Sequence, residues 1–269
     1  VPISVISGLI LHKGITMNSS PVIMITGATS GFGEASARLF ADKGWRLIIT
    51  GRRQQRLDEL QQALGGAEKV HTCCFDVSDR QAVEQAFSSL PEPFSQIDVL
   101  LNNAGLALGL ESAHQTRLDD WESMVDTNIK GLLYCTRTVL PNMVERKAGY
   151  IINIGSVAGN WPYPGGNVYC GTKAFVRQFS LAIRADLLGS NVRVTNIEPG
   201  NAETEFSMVR FKDDKSRADK VYEGTIALRA EDVANTVWWL VNTPEHVNVT
   251  TLELMPTQEA NGPMAFHRE

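Results

Sequence analysis

The sequence is short of most features that would take it out of the class of ordinary globular proteins. It has only four cysteines, Cys73, Cys74, Cys135 and Cys170, with two adjacent and no Cys-x-x-Cys pair, so neither a disulfide framework nor a metal knuckle is expected. The five histidines, His12, His71, His114, His246 and His267, are scattered without ligand spacing, and no metal site is expected. There is no excess of basic charge. The net charge of −5 and the pI near 5.6 give no reason to expect a nucleic-acid or anionic-membrane partner. No apolar run is long enough to cross a bilayer. Long linkers, internal repeats and low-complexity tracts are also missing, so one domain is expected. Free thiols fit a reducing, cytoplasmic compartment best.

The chain does have apolar content: 43% of its 269 residues, enough for one large core. The opening stretch "VPISVISGLILHKGIT" lacks a basic start and a small-residue cleavage site. Residues 1–16 are read as a disordered extension, with the domain running over 17–269. From there, short apolar runs alternate with helical patterns. The segments 21–26, 46–50, 70–75, 98–102, 150–155, 192–198 and 249–255 read as strands, most without polar alternation, as expected when both faces are buried. Helices are expected over 31–43, 54–64, 79–90, 117–146, 168–189 and 231–242. Such alternation predicts an α/β fold, a doubly wound parallel seven-stranded sheet of the Rossmann type. The stretch 200–230 has a Pro-Gly start, a charge cluster and weak periodicity, and reads as a mobile flap.

Several motifs sit where such a sheet carries chemistry. "TGATSGFG" follows the first strand and opens the first helix. Gly27, Gly31 and Gly33 let backbone approach a pyrophosphate whose charge rests on the helix N-terminus, with Thr29, Ser30 and Phe32 on the same loop. The second strand ends in Gly51-Arg52-Arg53, where an NAD-binding fold usually places an acid for the ribose hydroxyl. Two arginines suit a 2′-phosphate and predict NADP as the cofactor. In "NVYCGTKAF", Tyr169 and Lys173 share one helix face. A phenol of pKa ~10 beside a fixed ammonium should become more acidic. Ser156, at the C-terminal end of the fifth strand, can donate to a substrate oxygen while the tyrosine moves a proton.

Taken together, Thr26-Gly27-x-x-x-Gly31-x-Gly33, Asp76, Asn102-Asn103-Ala104-Gly105, Asn128, Ser156, Tyr169-x-x-x-Lys173 and Pro199-Gly200 resemble the short-chain dehydrogenase/reductase pattern over about residues 21–255. The resemblance implies that Tyr169 is the general acid/base and that Ser156 polarises the substrate oxygen. It implies that Lys173 holds the nicotinamide ribose and that Asn128 fixes a water in a proton relay. Asp76 and Val77 would contact the adenine, Asn102, Ala104 and Gly105 would line the adenosine ribose, and Pro199, Gly200 and Thr204 would flank the nicotinamide. Such proteins usually form tetramers.

The stretches "GLALG", "DWESMVDTN", "VLPNMVER", "WPYPGGNVYCGTKAFVRQFSL" and "TEFSMVRF" are similar to a group within that family. These are NADP-dependent 3-hydroxy acid dehydrogenases, including L-allo-threonine and serine dehydrogenases and malonic semialdehyde reductases. The segment "NAE" before Thr204 departs from their pattern, being shorter and without glycine. An acid substrate needs a cation for its carboxylate, and the first basic residue of the flap is Arg210. Its alternative role is a surface arginine paired with Glu205 or with a neighbouring subunit. Arg177 is a second candidate. Two other readings stand beside this one: a broad carbonyl or 3-oxoacyl reductase, and a non-catalytic NADP(H)-binding sensor.

Overall fold

The computed structural model describes residues 20–262 and 265–268, so the expectation for residues 1–16 lies outside the described residues. Strands β1 (Val22–Ile25), β2 (Arg46–Gly51), β3 (Val70–Cys74), β4 (Val99–Asn102), β5 (Gly149–Ile154), β6 (Val192–Pro199) and β7 (Thr251–Leu254) form one sheet in the order β3-β2-β1-β4-β5-β6-β7. Every pairing is parallel. The chain winds outward one way from β1 and the other way from β4, so the strand order reverses between them. The crevice at their C-terminal ends is where an open sheet of this kind takes ligands.

The apolar runs lack alternation because both faces are covered. In β1, Ile23 and Ile25 pack with α1 (Gly31–Asp42), α2 (Gln54–Ala63) and α9 (Ala230–Val241), through Phe40, Leu57 and Val237. Val22 and Met24 point the other way, into Val83 of α3 (Arg80–Ser88), Cys135 and Val139 of α5 (Leu132–Glu145) and Ile183 of α6 (Asn167–Asp186). All four β1 residues are buried. A two-residue alternation thus feeds two cores from one strand.

Three elements differ from expectation. The helix expected over 117–146 is interrupted. It runs as α4 (Leu118–Val125), a π-helical segment (Asp126–Gly131) and α5. The widened turn brings Gly131 against Val77, where a Cβ would lie 2.6 Å from Val77 Cγ2, and it places Asn128 inward. Such bulges frequently mark functional sites. The 200–230 stretch holds two short helices, α7 (Phe206–Arg210) and α8 (Lys215–Lys220), joined by Lys212 and Asp213 at φ 51° and 67°. After β7 comes a small antiparallel hairpin, β8 (Glu259–Ala260) and β9 (Ala265–Phe266). No periodicity announces it, because its strands are two residues long.

Candidate active site

A groove of about 390 Å³ runs across the C-terminal edge of the sheet, from the first turn to the lid formed by 200–230. The glycines shape its floor. Gly27 and Gly31 sit at φ 66° and 54°, the left-handed region where a side chain is strained. Gly33 lets α1 press onto the turn: a Cβ there would stand 2.4 Å from the Gly27 carbonyl and 2.6 Å from Asn103 Nδ2. Asn103 in turn donates to the carbonyls of Thr26 and Gly27 at 2.9 and 3.0 Å. Thr26 Oγ1 accepts from the backbone N–H groups of Asn103 and Ala104, both at 3.0 Å. The turn after β1 and the turn after β4 are therefore one hydrogen-bonded unit. This open glycine cradle fits a dinucleotide.

The groove is lined by Gly27, Thr29, Ser30, Gly31 and Phe32 on the first loop, and by Arg52, Arg53, Asp76 and Val77 beside it. Ala104, Gly105, Pro199, Gly200 and Thr204 continue the wall. Gly33 supports the loop from behind. Asn102 does not reach the groove. It is buried, with Nδ2 donating to Thr136 Oγ1 and Asn153 Oδ1, both at 2.9 Å. Asn128 is also buried. Its Oδ1 accepts from the Leu106 N–H at 2.8 Å, and its Nδ2 donates to the Leu106 carbonyl at 2.8 Å and to Thr172 Oγ1 at 3.1 Å. Its side chain ties the loop after β4 to α6.

Ser156, Tyr169 and Lys173 meet at the deep end. Ser156 ends an extended stretch and caps a short 3₁₀ turn, accepting from the Ala158 N–H at 3.1 Å. That turn packs on α6 through Gly159, whose missing Cβ would lie 2.9 Å from the Lys173 carbonyl. Lys173 Nζ donates to the Ile154 carbonyl at 2.8 Å and sits 5.8 Å from the centre of the Tyr169 ring.

The acidifying effect expected of Lys173 on Tyr169 does not dominate this geometry. Burial pushes the Tyr169 phenol above the usual tyrosine value, and nearby Tyr163 adds to that. The charge of Arg210 and the hydrogen bond to Ser156 oppose it. Burial also pulls Lys173 down, to about 8.

Arg210 is not the surface arginine of its alternative role. It lines the groove, with its guanidinium carbon 5.1 Å from the Tyr169 ring centre and 5.4 Å from that of Phe206. Nη2 donates to Tyr163 Oη at 2.6 Å, while Nε is buried without a partner. Glu205 pairs instead with Arg53 and Arg56. Arg177 is turned away, 3.4 Å from the buried Glu198 carboxylate. Sequence reasoning missed Tyr163, Phe206, Tyr222 and Glu259, which also line the groove. The aromatics carry no motif of their own, and Glu259 arrives from the unforeseen hairpin.

A doubly wound sheet with a glycine cradle at its switch point, and a serine, tyrosine and lysine at its deep end, defines a dinucleotide-dependent oxidoreductase. The short chain dehydrogenase family model matches residues 21–215, and the chain belongs to that family. It is 55% identical over 249 residues to the NADP-dependent 3-hydroxy acid dehydrogenase YdfG of Escherichia coli K12, covering 92% of this chain and all of that one. It is 51% identical to sulfoacetaldehyde reductase 2 of Chromohalobacter salexigens, covering 93% of this chain and all of that one. It is 50% identical to serine 3-dehydrogenase of Agrobacterium fabrum, covering 93% and 99%. Among solved structures, the closed form of a serine dehydrogenase complexed with NADP⁺ superposes with a TM-score of 0.88 at 55% identity, covering 92% of this chain and all of that one.

Proposed function

We propose that this protein transfers a hydride between NADP(H) and a small 3-hydroxy acid or its semialdehyde or ketone counterpart. NADP(H), when bound, supplies or accepts the hydride. The residues of this chain do the rest. Tyr169 Oη gives a proton to the forming alkoxide in reduction and takes it back in oxidation. Ser156 Oγ holds the same oxygen and polarises it. Lys173 holds the cofactor ribose, and Asn128 braces the loop beside it and supports the relay. Arg52 and Arg53 read the 2′-phosphate. Asp76, Val77, Asn102, Ala104 and Gly105 serve the adenosine end, Asn102 from beneath the wall, and Pro199, Gly200 and Thr204 flank the nicotinamide.

The observation that carries the acid specificity is Arg210. A lid arginine with a buried, unpartnered Nε stands beside the Tyr169 ring. A charged guanidinium facing the groove with one donor unused offers an anion a charge-assisted hydrogen bond. A carboxylate attached to the reacting carbon skeleton accepts it. A sulfonate is the second anion of this kind, and the relative named for sulfoacetaldehyde makes it worth measuring. The test is NADP-dependent oxidation of serine, allo-threonine, 3-hydroxypropionate and 3-hydroxyisobutyrate beside a neutral secondary alcohol, with sulfoacetaldehyde in the reducing direction. Preference for the neutral alcohol would instead favour a broad carbonyl reductase.

The domain takes in 17–269, with 200–230 as the lid. A homotetramer is the assembly that the family resemblance implies. Four free cysteines support a reducing, cytoplasmic setting. No helix among the described residues is long and apolar enough to cross a membrane.

A further inference from the structure

The lid and the phosphate-reading corner share one carboxylate. Glu205, just before α7, lies between two arginines of the opposite wall. Arg53 Nη1 donates to Glu205 Oε2 at 3.1 Å. Arg56 Nη1 reaches both oxygens, at 2.7 and 2.9 Å. Partial burial would push this carboxyl up, yet the hydrogen bonds and charges of Arg56 and Arg53 hold it below the usual carboxylate range.

The remaining donors of Arg53 face the glycine loop. Nε and Nη2 donate to Thr29 Oγ1 at 3.1 and 2.8 Å, and Nη2 also donates to Ser30 Oγ at 3.1 Å. One guanidinium therefore spans the loop and the lid. Immediately before Glu205, Thr204 closes over the loop itself: a Cβ on Gly31 would lie 3.4 Å from Thr204 Cβ. The lid segment thus covers the loop expected to take the cofactor's phosphates, and Glu205 is the charged contact that ties its leading end to the far wall. Elsewhere the lid is tied to the substrate side, by the Gly109 N–H donating to the Arg210 carbonyl and by Lys212 pairing with Asp120, and at its roots to the chain beyond β7, by Glu259 accepting from the Asn201 N–H and Gln258 accepting from the Ile226 N–H.

We infer that Glu205, with Arg56 and Arg53, is a latch that holds the lid over the bound cofactor and slows its release. Arg56 is then a positioning residue with no need to touch the cofactor, and Arg53 couples the latch to the 2′-phosphate site. This rests on the reading that the glycine loop takes the cofactor's phosphates, which equilibrium binding of NADPH to the unaltered protein tests by itself.

The latch is tested by release rates. NADPH and NADH are bound in turn, and the loss of their fluorescence is followed by stopped flow after a chase with excess NADP⁺. Glu205→Gln and Arg56→Gln should each speed the release of both cofactors by about fivefold or more, as expected when a partly exposed double ion pair is lost. The double variant should release no faster than the faster single, because both changes break one contact. Arg56→Lys should keep much of the slow release. Raising the salt concentration should bring the unaltered protein toward Glu205→Gln. Two results overturn the latch. Slower NADPH release from Glu205→Gln with NADH unchanged would mean that Glu205 competes with the 2′-phosphate for Arg53. Unchanged release of both cofactors would mean that the pair contributes nothing to closure.

Discussion

Lys173 is held out of water among the groove walls, and this has a cost in the cofactor-free protein. Its pKa is about 8, against ~10.4 for an unfolded lysine, so the folded state disfavours the ammonium. With a depressed value, the stability is fully present above the unfolded pKa and is lost as pH falls toward the folded one. At pH 7 the whole loss has been incurred, about 3 kcal/mol by linkage. Lys173→Met should therefore abolish turnover yet leave the apoprotein more stable at pH 7, by about 1–2 kcal/mol once the Ile154 carbonyl loses its donor. Thermal unfolding against pH checks this, and the gain should shrink as pH rises from 8 toward 10.4. Tyr169→Phe removes the proton carrier and little else. It should lower kcat by more than about tenfold, or ~1.4 kcal/mol, with NADPH affinity nearly unchanged. A smaller loss would reassign the proton transfer. Arg210→Leu should raise KM for 3-hydroxy acids by about tenfold or more while a neutral secondary alcohol turns over as before. Parallel losses on both would make Arg210 a lid support only.

The elements were legible in proportion to how local their causes are. The strands are written in short apolar runs, because burial on both faces needs no other signal. The glycine cradle was legible because only glycine adopts its left-handed turns without strain. The π-helical segment was not, since the weak helix formers of Asp126–Gly131 do not distinguish a π turn from an α one, and Gly131 meets Val77 only across the fold. The resemblance sets Asn102 with its neighbours on the wall, but strand β4 turns alternate side chains opposite ways and sends it into the core. The tyrosine–lysine pair is legible from spacing, while its electrostatics, dominated by burial, are not. Spacing along a helix reveals proximity, whereas desolvation depends on everything packed around the pair. One glycine offers a direct check at this scale. Gly33→Ala would place a methyl against the Gly27 carbonyl and Asn103, so the two turns must part. NADPH affinity, measured by fluorescence titration, should fall more than about tenfold, with about 1–3 kcal/mol of stability lost to overpacking. Unchanged affinity would show that the cradle tolerates the shift.

At the scale of the whole molecule, Trp239 is half exposed on α9. On the proposed homotetramer, Trp239→Glu should reduce the mass seen by light scattering below that of the unaltered protein, and an unchanged mass would take α9 out of any interface. The lid also depends on the far end of the described chain. Glu259 Oε2 accepts from the Asn201 N–H at 2.7 Å, where the lid begins, and Gln258 Oε1 accepts from the Ile226 N–H at 2.6 Å, near where it ends. Arg268 reaches the Glu223 carbonyl between them. Both roots of the lid are therefore pinned by residues made after it. During synthesis, the ribosome releases the nucleotide-cradling half of the sheet well before these pins emerge. The nascent chain can form its glycine turns early, but the chamber around Tyr169 can close only after residues 258–268 have left the ribosome.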